Sequence, residues 1–181
     1  MRSTALAAAS RSLVLPLALL LAAPVALAHG PTRQKVTETI EIAAPAGKVW
    51  DAIKDYSALH TWHPAVESSE TTAGNEPGSI RTLHLGGGAT IVESLKKYDA
   101  DAMRYSYKME DPGPVPVTNY SSTISVAGKG DGSVVTWKGA FYRGDPNNNP
   151  PPERNDEAAI KAITGIYQSG LANLKKQVEG Q

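Results

Sequence analysis

The chain has 181 residues, with 18 basic and 18 acidic side chains and no cysteine. That balance offers no basic field for nucleic acid or an anionic membrane surface, and the absence of thiols excludes disulfides, thiolate metal sites and cysteine nucleophiles. No G-x-S-x-G elbow, H-E-x-x-H helix, P-loop or dinucleotide fingerprint occurs either.

Residues 1–28 read as an export signal. Arg2 and Arg11 supply the positive start, Leu13 to Leu21 the short apolar core, and Ala26-Leu27-Ala28 the small-residue cleavage site. The apolar run is shorter than the ~20 residues a membrane span needs. A mature chain of residues 29–181 is therefore expected, periplasmic or secreted, without a membrane span. It carries sixteen basic and eighteen acidic residues, a net charge of −2, and is long enough for one domain with a real core.

In the mature part, Val36 to Ile42 alternates at period two and predicts a first strand. Pro45 opens a short helix with Val49, Trp50 and Ile53 on its apolar side. Asp55-Tyr56-Ser57 breaks it, and Ala58 to His63 predicts a second helical turn stopped by Pro64. Six strands follow at Val66–Thr72, Ser79–Leu85, Ala89–Tyr98, Ala102–Met109, Val117–Ala127 and Ser133–Tyr142. Short Gly-, Pro- and Asp-rich links join them, which implies an antiparallel meander. Gly144 to Arg154 is loop by composition.

Asp156 to Glu179 carries the longest helix signal. Ile160, Ile163, Tyr167, Leu171, Leu174 and Val178 recur at spacings of three and four, with Asn155 or Asp156 to cap the start. Such a stripe must be buried, and the sheet is the only large partner available. The expected fold is α+β: a curved antiparallel sheet of about seven strands around a long C-terminal helix, with two short helices after the first strand.

That order resembles the helix-grip fold of the START/Bet v 1-like (SRPBCC) superfamily over the whole mature chain. The residues that carry the likeness include Val49-Trp50-Asp51, Trp62-His63-Pro64-Ala65-Val66, Gly78-Ser79-Ile80-Arg81, Glu93-Ser94-Leu95, Tyr105-Ser106-Tyr107, Pro116 to Tyr120, Val135-Thr136-Trp137 and Gly165-Ile166-Tyr167. The nearer resemblance is to its bacterial polyketide cyclase/dehydrase and lipid-transport branch. With the signal peptide, the chain looks like the exported MxaD-like accessory proteins of methanol oxidation. The resemblance implies a deep cavity between sheet and helix for small apolar molecules. It does not imply one activity.

Strand parity locates the polar groups. Around Gly86-Gly87-Gly88, pairing Leu85 with Ala89 sets Leu83 opposite Ile91 and Arg81 opposite Glu93, on the inward face. A bidentate Arg81–Glu93 contact fits that geometry. The pair is a register lock, a polar anchor for a ligand oxygen, or an acid/base couple. Tyr105 and Tyr107 share one face of their strand, Tyr120 and Ser122 one face of the next, and Val135, Trp137 and Phe141 one face of the last. An elongated cavity is expected, with Tyr105, Tyr107, Tyr120 and Trp137 in its wall and Tyr167 on the helix above. Tyr56, Trp62 and His63 belong at its mouth, and Arg81 and Glu93 at its polar end.

His60 and His63, three apart, fall on one side of a helical turn, but no third ligand stands near and His84 faces outward, so no metal is expected. His29 at a mature N-terminus has copper-chelating groups, yet nothing else resembles a copper oxygenase. No cofactor is implied. Two functions stay open. One is a periplasmic protein binding a small apolar or amphipathic ligand, with a periplasmic dehydrogenase or cytochrome as its protein partner. The other is a cyclase- or dehydratase-type lyase or isomerase using Glu93, with Arg81 or a tyrosine polarising a carbonyl. Pairing with Arg81 lowers the Glu93 pKa, which favours binding over catalysis.

Overall fold

The computed structural model describes residues 30–180, so the leader and His29 lie outside the described residues. Strand β1 (Gln34–Ile42) leads into helix α1 (Ala46–Ile53), for which Pro45 is the N-cap residue. Val49, Trp50 and Ile53 are its buried side. The second turn is a 3₁₀ segment at Tyr56–Thr61, starting two residues earlier than the sequence predicts. Asp55 explains the early start: its carboxylate accepts the Ser57 N–H at 2.8 Å, so the chain turns there.

Strands β2 (Val66–Thr71), β3 (Ile80–Leu85), β4 (Thr90–Asp99), β5 (Arg104–Asp111), β6 (Val117–Lys129) and β7 (Gly132–Arg143) form the meander. β1 pairs antiparallel with β7, giving one seven-stranded sheet in the order β1-β7-β6-β5-β4-β3-β2. Register shifts in the β4–β5 and β6–β7 pairings curve it. In β6 the shift contains Asn119, whose φ of 49° is left-handed. The extra residue there lets both Val117 and Tyr120 turn into the core, where strict alternation would send one of them out.

Helix α2 (Asp156–Glu179) lies in the hollow of the sheet, capped by the Asn155 side chain at 2.8 Å from Ala158 N–H. Ile163, Tyr167, Leu171 and Leu174 are buried, as the periodicity requires. Ile160 is the exception at 38 % exposure. The seam starts from Ala159, about 100° round the helix from Ile160, so the small residue takes the contact. Side-chain bonds fasten both flanks: Lys48 Nζ to Val178 O and Lys175 Nζ to Glu41 O on one, Asn173 Nδ2 to Trp62 O and Gln177 Nε2 to Thr61 O on the other.

Candidate functional site

The β3–β4 hairpin has the register that parity demands, with Arg81 opposite Glu93 and Leu83 opposite Ile91. Arg81 and Glu93 are 1 % and 2 % exposed. Their contact is not the two-oxygen fork expected. Arg81 Nε and Nη2 both donate to the one oxygen Glu93 Oε2, at 3.0 and 2.6 Å. The remaining nitrogen, Nη1, donates to the Tyr56 backbone carbonyl at 2.8 Å. The guanidinium carbon lies 3.9 Å from the Tyr56 ring centre and 5.3 Å from that of Tyr107. Arg81 thus bolts the 3₁₀ segment to the sheet, with each of its three nitrogens donating to protein.

Burial pushes the Glu93 carboxyl above the usual carboxylate range, with Arg81 working against it. Burial alone would loosen the Arg81 proton, but Glu93 and the surrounding tyrosines more than offset that. Pairing with Arg81, taken alone, lowers a carboxyl pKa. The burial of both partners reverses that direction for Glu93.

A cavity of about 80 Å³ lies between sheet and helix. Glu93, Tyr107, Tyr120, Trp137 and His63 line it, together with apolar groups such as Leu59, Leu83, Ile91 and Met109. Arg81, Tyr105, Tyr56, Trp62 and Tyr167 do not line it, although all five are buried. Arg81 and Tyr105 are therefore not at the wall where parity put them. Parity fixes a face but not which of its side chains reach the hollow: Arg81 and Tyr105 pack on the Tyr56 ring, while Glu93 and Tyr107 line the cavity. The cavity is also far smaller than the deep pocket the resemblance implies, because aromatic side chains fill most of that volume. Larger hollows are open to solvent: one of about 810 Å³ beside Lys96, Arg104 and Lys138 is bordered by Tyr105, and two others are bordered by Tyr107 and by Tyr120.

A chain of hydroxyls borders the cavity. Tyr107 and Tyr120 oxygens are 3.5 Å apart, Tyr120 and Tyr167 2.6 Å, and Tyr167 and Ser122 2.9 Å. Ser122 donates to Lys138 O at 3.0 Å, and Trp137 Nε1 donates to Tyr107 and Ser122, each at 3.0 Å. Burial pushes the Tyr107 and Tyr120 phenols far above their usual value and Tyr105 up to about 12, so all are donors at neutral pH. Trp137 stacks on Tyr167 with ring centres 4.5 Å apart.

This architecture has known counterparts. Residues 33–179 match the polyketide cyclase / dehydrase and lipid transport family. The chain belongs to that family. Among solved structures, the protein XoxI of Bacillus cereus is 33% identical, with a TM-score of 0.67 over 80% of this chain and 94% of that one. The Zhui aromatase/cyclase from Streptomyces sp. R1128 shares the fold at 16% identity and a TM-score of 0.61, covering 82% of this chain and 93% of its own. MLP-like protein 423 of Arabidopsis thaliana is 28% identical over 115 residues, 58% of this chain and 73% of that protein.

In this member of the family His63 is pinned. Its Nε2 meets Ile166 O at 2.9 Å and its Nδ1 accepts Ala65 N–H at 3.2 Å, which assigns the neutral Nε2–H tautomer. His60 points elsewhere, exposed and bonded to Ser69 Oγ at 2.8 Å, so the two histidines do not share a side. The 3₁₀ segment ends at Thr61, before a helical turn could align them. Burial pushes the His63 imidazole below its usual value, against the bond to Ile166. The unfolded chain takes up this proton below about pH 6.5 while the folded chain does not. Stability should therefore fall as pH drops from about 6.5 toward the folded pKa, by at most about 1.4 kcal/mol per pH unit from this group. Urea midpoints at a series of pH values check it, and the slope in that interval should shrink in His63→Gln.

The cavity region also holds residues that the sequence analysis does not single out. Met109 continues the Tyr105–Tyr107 alternation into the cavity wall. Gly139, mid-strand, leaves room for the Tyr167 hydroxyl, 2.3 Å from where a Cβ would stand. Glycine inside a strand marks such a close approach. Val115 and Ile166 line the cavity with no comparable signal in the sequence.

Proposed function

We propose that this chain is an exported, periplasmic binding protein for a small apolar or amphipathic molecule, accessory to a periplasmic alcohol dehydrogenase system. The observation that carries the binding reading is the cavity itself. It lies between sheet and helix and is lined mainly by apolar side chains with a few convergent polar groups. Membership of a cyclase and lipid-transport family supports it. The leader-like residues 1–28 support export, and the resemblance to MxaD-like proteins supports the accessory role.

Protein recovered from the exported fraction should begin at His29. Native mass spectrometry of the same sample should show a small neutral adduct that is released unchanged. Glu93→Gln should keep most of the affinity, since the amide oxygen still accepts from Arg81. A carboxyl raised by burial and lining the cavity favours a second reading, a dehydratase-type enzyme with Glu93 as acid or base. Release of a molecule one water lighter than the one bound, lost in Glu93→Gln, would establish that reading. An adduct-free protein that takes up no apolar probe would remove the first.

A further inference from the structure

The direction of each hydrogen bond in the hydroxyl chain follows from one end. A carbonyl only accepts, so Ser122 spends its single proton on Lys138 O. The Ser122 oxygen then accepts from Trp137 Nε1–H and from the Tyr167 hydroxyl. Tyr167 has now spent its proton and accepts from Tyr120 at 2.6 Å, which spends the Tyr120 proton in turn. Tyr107 is the free end. Its oxygen accepts from Trp137 Nε1–H at 3.0 Å. Its own proton has only the Tyr120 oxygen to go to, at 3.5 Å, beyond the ordinary O–H···O range of about 2.5–3.0 Å. Among the described residues no hydrogen bond joins Tyr107 to Glu93, whose partner is Arg81. Tyr107 lines the cavity and is 3 % exposed, so water does not freely satisfy it.

We infer that the cavity selects a small neutral molecule bearing one accepting oxygen, a short ketone, aldehyde or alcohol, held by the Tyr107 hydroxyl proton. The inference deepens the binding reading above and rests on it. Three constraints converge on that class. A volume of about 80 Å³ is below the roughly 150 Å³ of a cavity that takes benzene, so the molecule is short. Leu83, Leu85, Ile91 and Met109 require alkyl groups around the oxygen. Glu93 in the wall repels a carboxylate, and Arg81, paired with Glu93, does not line the cavity and so offers it no counter-charge there.

Acetaldehyde, ethanol and propane share one skeleton of three heavy atoms, smaller than benzene, and differ in oxygen. Titrated into the mature protein in sealed tubes and followed by amide NMR shifts, acetaldehyde and ethanol should bind at least about fivefold more tightly than propane, the scale of one neutral hydrogen bond. Tyr107→Phe should erase that preference and leave propane unchanged. The variant keeps the ring, and Trp137 Nε1 keeps Ser122. A merely structural Tyr107 would weaken all three alike. Equal binding of ethanol and propane by the wild-type protein overturns the inference and spares the cavity, whatever the variant does. Failure of all three to bind overturns both.

Discussion

Arg81→Ala should cost the fold about 3–5 kcal/mol, the range for breaking one side of a buried ion pair. The substitution leaves the Glu93 carboxylate, 2 % exposed, without either of its N–H donors. It also strips the Tyr56 carbonyl of its partner and removes the cation from between two aromatic rings. An exposed pair of the same length would cost about 0–1 kcal/mol, so the size of the effect reports the burial. Chemical denaturation measures it. The paired change Arg81→Met with Glu93→Met should recover much of the loss, because two apolar side chains need no partner. A cost below about 1 kcal/mol for Arg81→Ala would mean that the pair is not buried as described. The effect falls on stability first, since Arg81 stands behind the cavity wall and not in it.

That placement marks the boundary of what the sequence makes legible. Parity in a tight hairpin ties Arg81 to Glu93 because every step alternates and the Gly86–Gly88 turn leaves one register open. Periodicity likewise delivers Ile163, Tyr167, Leu171 and Leu174 to the sheet. What parity lacks is the third partner. Arg81 Nη1 bonds a carbonyl 25 residues earlier in the chain, on a 3₁₀ segment whose docking no local pattern encodes. The same segment brings the Tyr56 ring centre to within 3.9 Å of the Arg81 guanidinium carbon, and neither residue lines the cavity. Cavity size is equally nonlocal. It depends on how Trp137, Tyr167 and His63 interlock, rings from a strand, a helix and the link before β2. The family resemblance implies a deep cavity, and in this chain those rings occupy much of it.

The interlock depends on Gly170, and Gly170→Ala should destabilise the protein although the residue sits in mid-helix. Helix propensity alone predicts a gain of about 1 kcal/mol from this change. The added Cβ, however, would stand 2.5 Å from His63 Cδ2 and 3.0 Å from Trp137 Cζ3. Neither ring is free to give. His63 is held through both nitrogens, and Trp137 is bonded to Tyr107 and Ser122 while stacked on Tyr167. Overpacking of this kind costs about 1–3 kcal/mol, and more where the neighbours are fixed, so a net loss of about 1–2 kcal/mol is expected. Gly165 supplies the control on the same helix. Nothing lies within 4 Å of its Cβ position, so Gly165→Ala should stabilise by about 0.5–1 kcal/mol. Thermal unfolding of the two variants side by side checks the pair of signs. Because His63 and Trp137 also line the cavity, Gly170→Ala should weaken binding of an apolar probe, and Gly165→Ala should not. A stabilised Gly170→Ala protein would show that α2 does not press on His63, and the close packing of helix, histidine and indole would have to be given up.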